Sequence, residues 1–146
     1  MNYNDIEILL VEDSVADATL TIRALKKSGL ANNLHHVKDG SEALDFIYCR
    51  GAYASRNIQE CPKLILLDLK MPKVGGIQVL EKVKSDPDIK SIPVVILTSS
   101  NEDPDIKKCY ALGANSYIVK PVESDNFFHA IKELGLYWMV LSSSPR

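Results

Sequence analysis

Four times along this chain a short apolar run ends abruptly on a residue that can carry chemistry. Residues 6–11 (IEILLV) stop at Glu12 and Asp13, residues 64–67 (LILL) at Asp68, residues 93–97 (PVVIL) at Thr98, and residues 116–119 (SYIV) at Lys120. Runs of this length, apolar at nearly every position, fit strands that are covered on both faces. Such strands call for helices on both sides of one sheet.

The intervening segments supply those helices. Ser14 opens a capping-box-like pattern with Asp17 three residues on, and Val15, Ala18, Ile22 and Leu25 then share one helical face before Gly29. Residues 34–37 read as a second strand, Asp39-Gly40 as a turn, and residues 41–48 as a helix whose face carries Ala43, Leu44 and Ile47. Residues 50–62 lose periodicity and read as a long loop. A third helix opens after Gly75-Gly76 and carries Val79, Leu80 and Val83. Asp103-Pro104 opens a fourth, closed by Gly113, and Ser124 starts a fifth that runs toward Leu141 before a polar tail. Five strands alternating with five helices predict an α/β, doubly wound, parallel sheet of flavodoxin-like order 2-1-3-4-5. The expected organisation is one domain over 1–146, with its core at about 6–135 and a C-terminal extension and tail at 136–146.

At 146 residues, 46% hydrophobic and 25% charged, the chain suffices for one real core. A net charge of −2 gives no global basic field for nucleic acid or an anionic membrane, so neither is expected as a direct partner. No apolar stretch approaches the roughly 18 residues of a membrane span, and the first residues, MNYND, do not read as a signal peptide. Cys49, Cys61 and Cys109 are odd in number and lack C-x-x-C spacing, so reduced thiols and a cytoplasmic setting are expected. His35, His36 and His129 lack metal-ligand spacing and read as surface or core fillers.

In doubly wound sheets, sites form beyond the carboxyl ends of the strands near the switch point. In the expected order, Glu12, Asp13, Asp68, Thr98 and Lys120 converge there. Crowded carboxylates repel, and each tends to hold its proton. A hard divalent cation removes that cost, and oxygen-only ligation with room for water suits Mg²⁺. The central Asp68 is then the best nucleophile for a phosphoryl group, through an aspartyl phosphate. Thr98 is placed to hydrogen-bond one phosphoryl oxygen and Lys120 to pair with another.

The segments LVEDS (10–14), LDLKMP (67–72), LTS (97–99) and GANSY (113–117) through Lys120-Pro121 closely resemble response-regulator receivers, over about residues 6–135. That resemblance implies that Asp68 accepts phosphate from a sensor histidine kinase. It implies that Asp13, Asp68 and the backbone carbonyl of Lys70 bind Mg²⁺, with Glu12 helping through water. Thr98 and Lys120 would read the phosphoryl group, Tyr117 would turn inward on activation, and the Lys120-Pro121 peptide would be cis. A narrower similarity joins Gly51-Ala52-Tyr53, Pro72-Lys73, GANSY and Tyr137-Trp138 to single-domain receivers that serve bacterial phytochromes. Lys70 departs from the family's usual neutral or acidic residue two positions after the phosphoacceptor.

On this reading the chain is a phosphorylation-controlled protein-binding switch that acts on no substrate but itself, and its downstream partner is not legible. An aspartate-based phosphatase would want an acid where Lys70 stands. A dinucleotide enzyme would want G-x-G-x-x-G where Glu12-Asp13-Ser14 stands. A phosphorylation-independent adaptor would have lost part of the five-residue set. Finally, Leu136, Tyr137, Trp138, Met139 and Val140 put an apolar patch at the end of the last helix, and a homodimer through it is expected.

Overall fold

Alternation within each strand sorts its side chains onto the two faces of the sheet, and both faces prove to be apolar. The computed structural model describes residues 8–29, 34–57, 61–71 and 74–136. Its strands are β1 (Ile8–Val11), β2 (Leu34–Val37), β3 (Leu64–Asp68), β4 (Val94–Thr98) and β5 (Ser116–Val119), all parallel in the order β2-β1-β3-β4-β5. The helices are α1 (Val15–Lys27), α2 (Gly40–Ile47), α3 (Gly76–Ser85), α4 (Asp105–Ala111) and α5 (Ser124–Glu133). Fold class and strand order thus agree with the expectation from the sequence.

Ile8, Leu10, Leu64, Leu66, Val95 and Leu97 face one way and pack on α1 and α5 through Ala18, Ala24, Leu25, Phe127, Ala130 and Ile131. Leu9, Val11, Ile65, Leu67, Val94 and Ile96 face the other way, onto Ala43, Phe46 and Ile47 of α2, Val79, Leu80 and Val83 of α3, and Cys109 of α4. Each fully buried Leu, Ile or Val of these layers contributes about 1.5–3 kcal/mol. The central strands therefore hold their carboxyl ends rigidly. Caps fix where the helices begin: Asp17 N–H donates to Ser14 Oγ at 3.2 Å, and Glu42 N–H to Asp39 Oδ1 at 2.8 Å.

Two expectations need correction. The loop at 50–62 is not featureless, because Gly51–Tyr53 forms a 3₁₀ turn that docks over β2. Tyr53 Oη donates to Glu42 Oε2 at 2.6 Å, its ring meets His35 edge-on, and His35 stacks on Phe46 at 4.3 Å between centroids. His35 is thus a structural part of a covered sheet edge.

The second correction concerns the last helix, expected to continue toward Leu141 but ending at Glu133. Gly135 takes the left-handed φ of 72°, its N–H bonds Lys132 O at 3.0 Å, and Leu136 N–H bonds Ile131 O at 2.9 Å. That paired pattern is a Schellman stop, and Leu136 folds back onto the α1–α5 core as its hydrophobic partner. The 3.6-residue spacing of Phe127, Ile131 and Leu134 could not reveal this, since the glycine overrides it. Tyr137, Trp138, Met139, Val140 and Leu141 lie outside the described residues.

Candidate functional site

The site is assembled from the carboxyl ends of four strands. Glu12 follows β1, Asp68 ends β3, Thr98 ends β4 and Lys120 follows β5, and with Asp13 they line one open cleft of about 170 Å³. A cleft of that size holds a phosphoryl group and a few waters, whereas sites for larger ligands run to roughly 300 Å³ and more. The convergence expected from the sequence is what the structure contains.

Lys120 is the cationic centre. Its Nζ lies 2.8 Å from Glu12 Oε1, 3.1 Å from Asp17 Oδ2 and 3.3 Å from Asp68 Oδ1. Burial alone would lower its pKa, but the hydrogen bond to Glu12 and the charge on Asp68 overcome burial and raise it, so the ammonium stays charged. The Lys120-Pro121 peptide is cis, as the resemblance implies. Thr98 is buried, and its Oγ1 has acceptors at 3.2 Å in both Ser100 O and Asp103 Oδ2. Tyr117 is half-buried, its ring edge-on to Tyr110 at 6.3 Å. Lys70 points to solvent with its side chain 77% exposed, 3.9 Å from Asp103 Oδ2, while its backbone N–H donates to Asp68 Oδ1 at 3.4 Å.

Glu12, Asp13 and Asp68 each offer a carboxylate oxygen, all within 4.8 Å of one another. Burial, then the neighbouring charge of Glu12 and a hydrogen bond with it, push the Asp68 carboxyl up to about 7 against the pull of Lys120. An all-oxygen donor set whose central member is driven toward protonation by its neighbours fits a hard divalent cation such as Mg²⁺. A consequence can be measured. The cation takes the carboxylate form, so binding must expel the Asp68 proton whenever that proton is present. Affinity for Mg²⁺ is expected to fall by about tenfold per pH unit once the pH drops below about 7. Calorimetric titration in buffers of different ionisation enthalpy reads both affinity and proton release; affinity unchanged between about pH 8 and about pH 6 would contradict the expectation.

Sequence reasoning missed two residues of this cleft. Asp17 and Asp103 sit in or just before the first turns of α1 and α4, where an acid is ordinary helix chemistry, so neither stood out. Only the fold brings Asp17 to Lys120 and Asp103 to Thr98.

Comparison with known proteins is consistent with this arrangement. Residues 8–132 match the model of the response regulator receiver domain. Response regulator Rcp1 from Synechocystis is 38% identical over 138 residues, covering 94% of this chain and 92% of that protein. The solved structure of the bacteriophytochrome response regulator RtBRR superposes with a TM-score of 0.84 at 49% identity, covering 91% of this chain and 80% of that one. The Mn(2+)-bound form of Rcp1 superposes with a TM-score of 0.73 at 38% identity, covering 91% and 94%.

Proposed function

The chain belongs to the response regulator receiver family, and from that premise we propose that Asp68 is its phosphoacceptor and that a sensor histidine kinase of phytochrome type supplies the phosphoryl group. In the transfer, an Asp68 carboxylate oxygen forms a bond to phosphorus as the phosphorus–nitrogen bond of the phosphohistidine breaks, and the imidazole leaves. Asp13, Asp68 and the Lys70 carbonyl would hold Mg²⁺, with Glu12 reaching it through water; the ion supplies charge neutralisation between phosphoryl group and carboxylates. Lys120 then pairs with one phosphoryl oxygen and Thr98 hydrogen-bonds another. Tyr117 follows Thr98 inward, which changes the face formed by α4, β5 and α5.

The observation that carries this reading is the position of Asp68: buried, central, within 3.3 Å of Lys120 and grouped with two further carboxylates. Incubation with a small phosphodonor and Mg²⁺, followed by intact mass, tests it: one phosphoryl group per chain is expected, and none without Mg²⁺. A chain that remains unlabelled at saturating donor would rule the reading out. The phytochrome assignment rests on the likeness to the bacteriophytochrome response regulator RtBRR.

The chain acts as a switch that binds a downstream protein, in the cytoplasm and with no catalysis beyond its own phosphorylation and dephosphorylation. A homodimer would use the α4–β5–α5 face together with residues 137–141, because Leu136, expected in that patch, is packed on the chain's own core. Removal of everything after Leu136, which keeps the stop of α5 intact, is then expected to leave a folded, phosphorylatable monomer. Sedimentation of the intact chain as a monomer at micromolar concentration, with and without phosphate, would refute the dimer.

A further inference from the structure

Asp103 belongs to none of the groups that handle the phosphoryl, yet it occupies the hydroxyl of one that does. Thr98 has a single hydroxyl proton, and two acceptors compete for it at 3.2 Å: the Ser100 carbonyl and the Asp103 carboxylate. A charged acceptor makes roughly twice as strong a bond as a neutral one, so Asp103 holds the proton. Asp103 is itself fixed. Its Oδ1 accepts the Asp105 N–H at 2.9 Å at the start of α4, and its side chain is only 10% exposed. Lys70 Nζ lies 3.9 Å from Oδ2, a solvent-exposed counter-charge beside the carboxylate. The same hydroxyl must turn to the phosphoryl oxygen when Asp68 is modified, and it cannot serve both acceptors.

The geometry points to Asp103 as a latch on the resting state: a positioning residue that holds the Thr98 hydroxyl away from the phosphoryl site and ties that hold to the first turn of α4. Phosphorylation then replaces one anionic acceptor by another, and release of Asp103 is how the swap reaches α4. This rests on the reading of Asp68 as phosphoacceptor.

Asparagine is the informative substitution at this position. Its one amide oxygen keeps the cap on the Asp105 N–H, while its NH₂ can only donate and so gives the Thr98 proton no acceptor. Beryllofluoride with saturating Mg²⁺, a stable mimic of the phosphoryl group, is the probe, and its dissociation constant is the readout. Asp103→Asn is expected to bind it about fivefold more tightly than wild type, the effect of leaving the Thr98 hydroxyl in the resting state with only the weaker, neutral Ser100 carbonyl as acceptor. The same substitution in a Thr98→Ala background is expected to change nothing, because the latch acts only through that hydroxyl. Equal affinity of Asp103→Asn and wild type overturns the proposal. Equal tightening in both backgrounds overturns it too, since the effect would then come from lost charge or a freed Lys70. Failure of the wild type to bind beryllofluoride would instead refute the phosphoacceptor reading of Asp68.

Discussion

Asp68→Asn is expected to take up no phosphoryl group from a small phosphodonor under conditions where the wild type takes up one. The amide has no nucleophilic oxygen lone pair of carboxylate strength, and the loss should be complete rather than partial. Unfolding cannot be the reason. Burial and the charge of Glu12 raise the Asp68 carboxyl to about 7 in the folded protein. A raised folded pKa means that the stability this group contributes is fully present below the unfolded value of about 4 and is lost as the pH rises through about 7. At about pH 8 and without Mg²⁺, the ionised carboxylate therefore works against folding, by at most about 4 kcal/mol. The substituted amide carries no such charge, and it leaves the Glu12–Lys120 pair in place. The variant should accordingly melt above the metal-free wild type at that pH, by at most roughly 8–16 °C. Stoichiometric labelling of the variant would show that another residue is the acceptor. A lower melting temperature would show that Asp68 is better accommodated than its surroundings suggest.

The opposition between stability and chemistry at Asp68 also explains why the site could be read from sequence. A run such as LILL has no structural use for an aspartate at its end, and neither does VVIL for a threonine or SYIV for a lysine followed by proline. Each is an exception to local logic, and the parallel order of the strands places the exceptions side by side. Asp17 and Asp103 were invisible for the converse reason, because each satisfies local helix chemistry before it serves the site. The same blindness affects the chain's two misread segments. The docked loop depends on aromatic contacts of Tyr53 with His35 and Phe46, far apart in sequence. The end of α5 depends on a single φ at Gly135, which outweighs an otherwise continuous helical stripe.

Gly76 is a case where the local reading was right and incomplete: its place at the start of α3 was legible, its contact was not. A Cβ there would lie 2.4 Å from the carbonyl oxygen of Asp68 and 2.7 Å from Leu69 Cα. Both are backbone atoms, so no rotamer change relieves the clash. Gly76 N–H also donates to Leu69 O at 3.1 Å, which binds the start of the helix to the segment that follows Asp68. Gly76→Ala must therefore separate α3 from the end of β3 or displace Asp68 itself. Overpacking of this kind costs about 1–3 kcal/mol, and for a chain of this size the melting temperature should fall by roughly 4–10 °C. Displacement of a reacting carboxylate by even about 1 Å should slow phosphorylation up to about a hundredfold. The neighbouring Gly75→Ala is the control. Its added Cβ would meet nothing closer than 3.9 Å, and its φ of −76° suits any residue, so it should leave melting temperature and labelling rate close to wild type. Measured side by side, the two alanines separate close backbone approach from a general dislike of side chains at this turn. Equal behaviour of the pair would mean that the contact between α3 and Asp68 does not position that carboxylate.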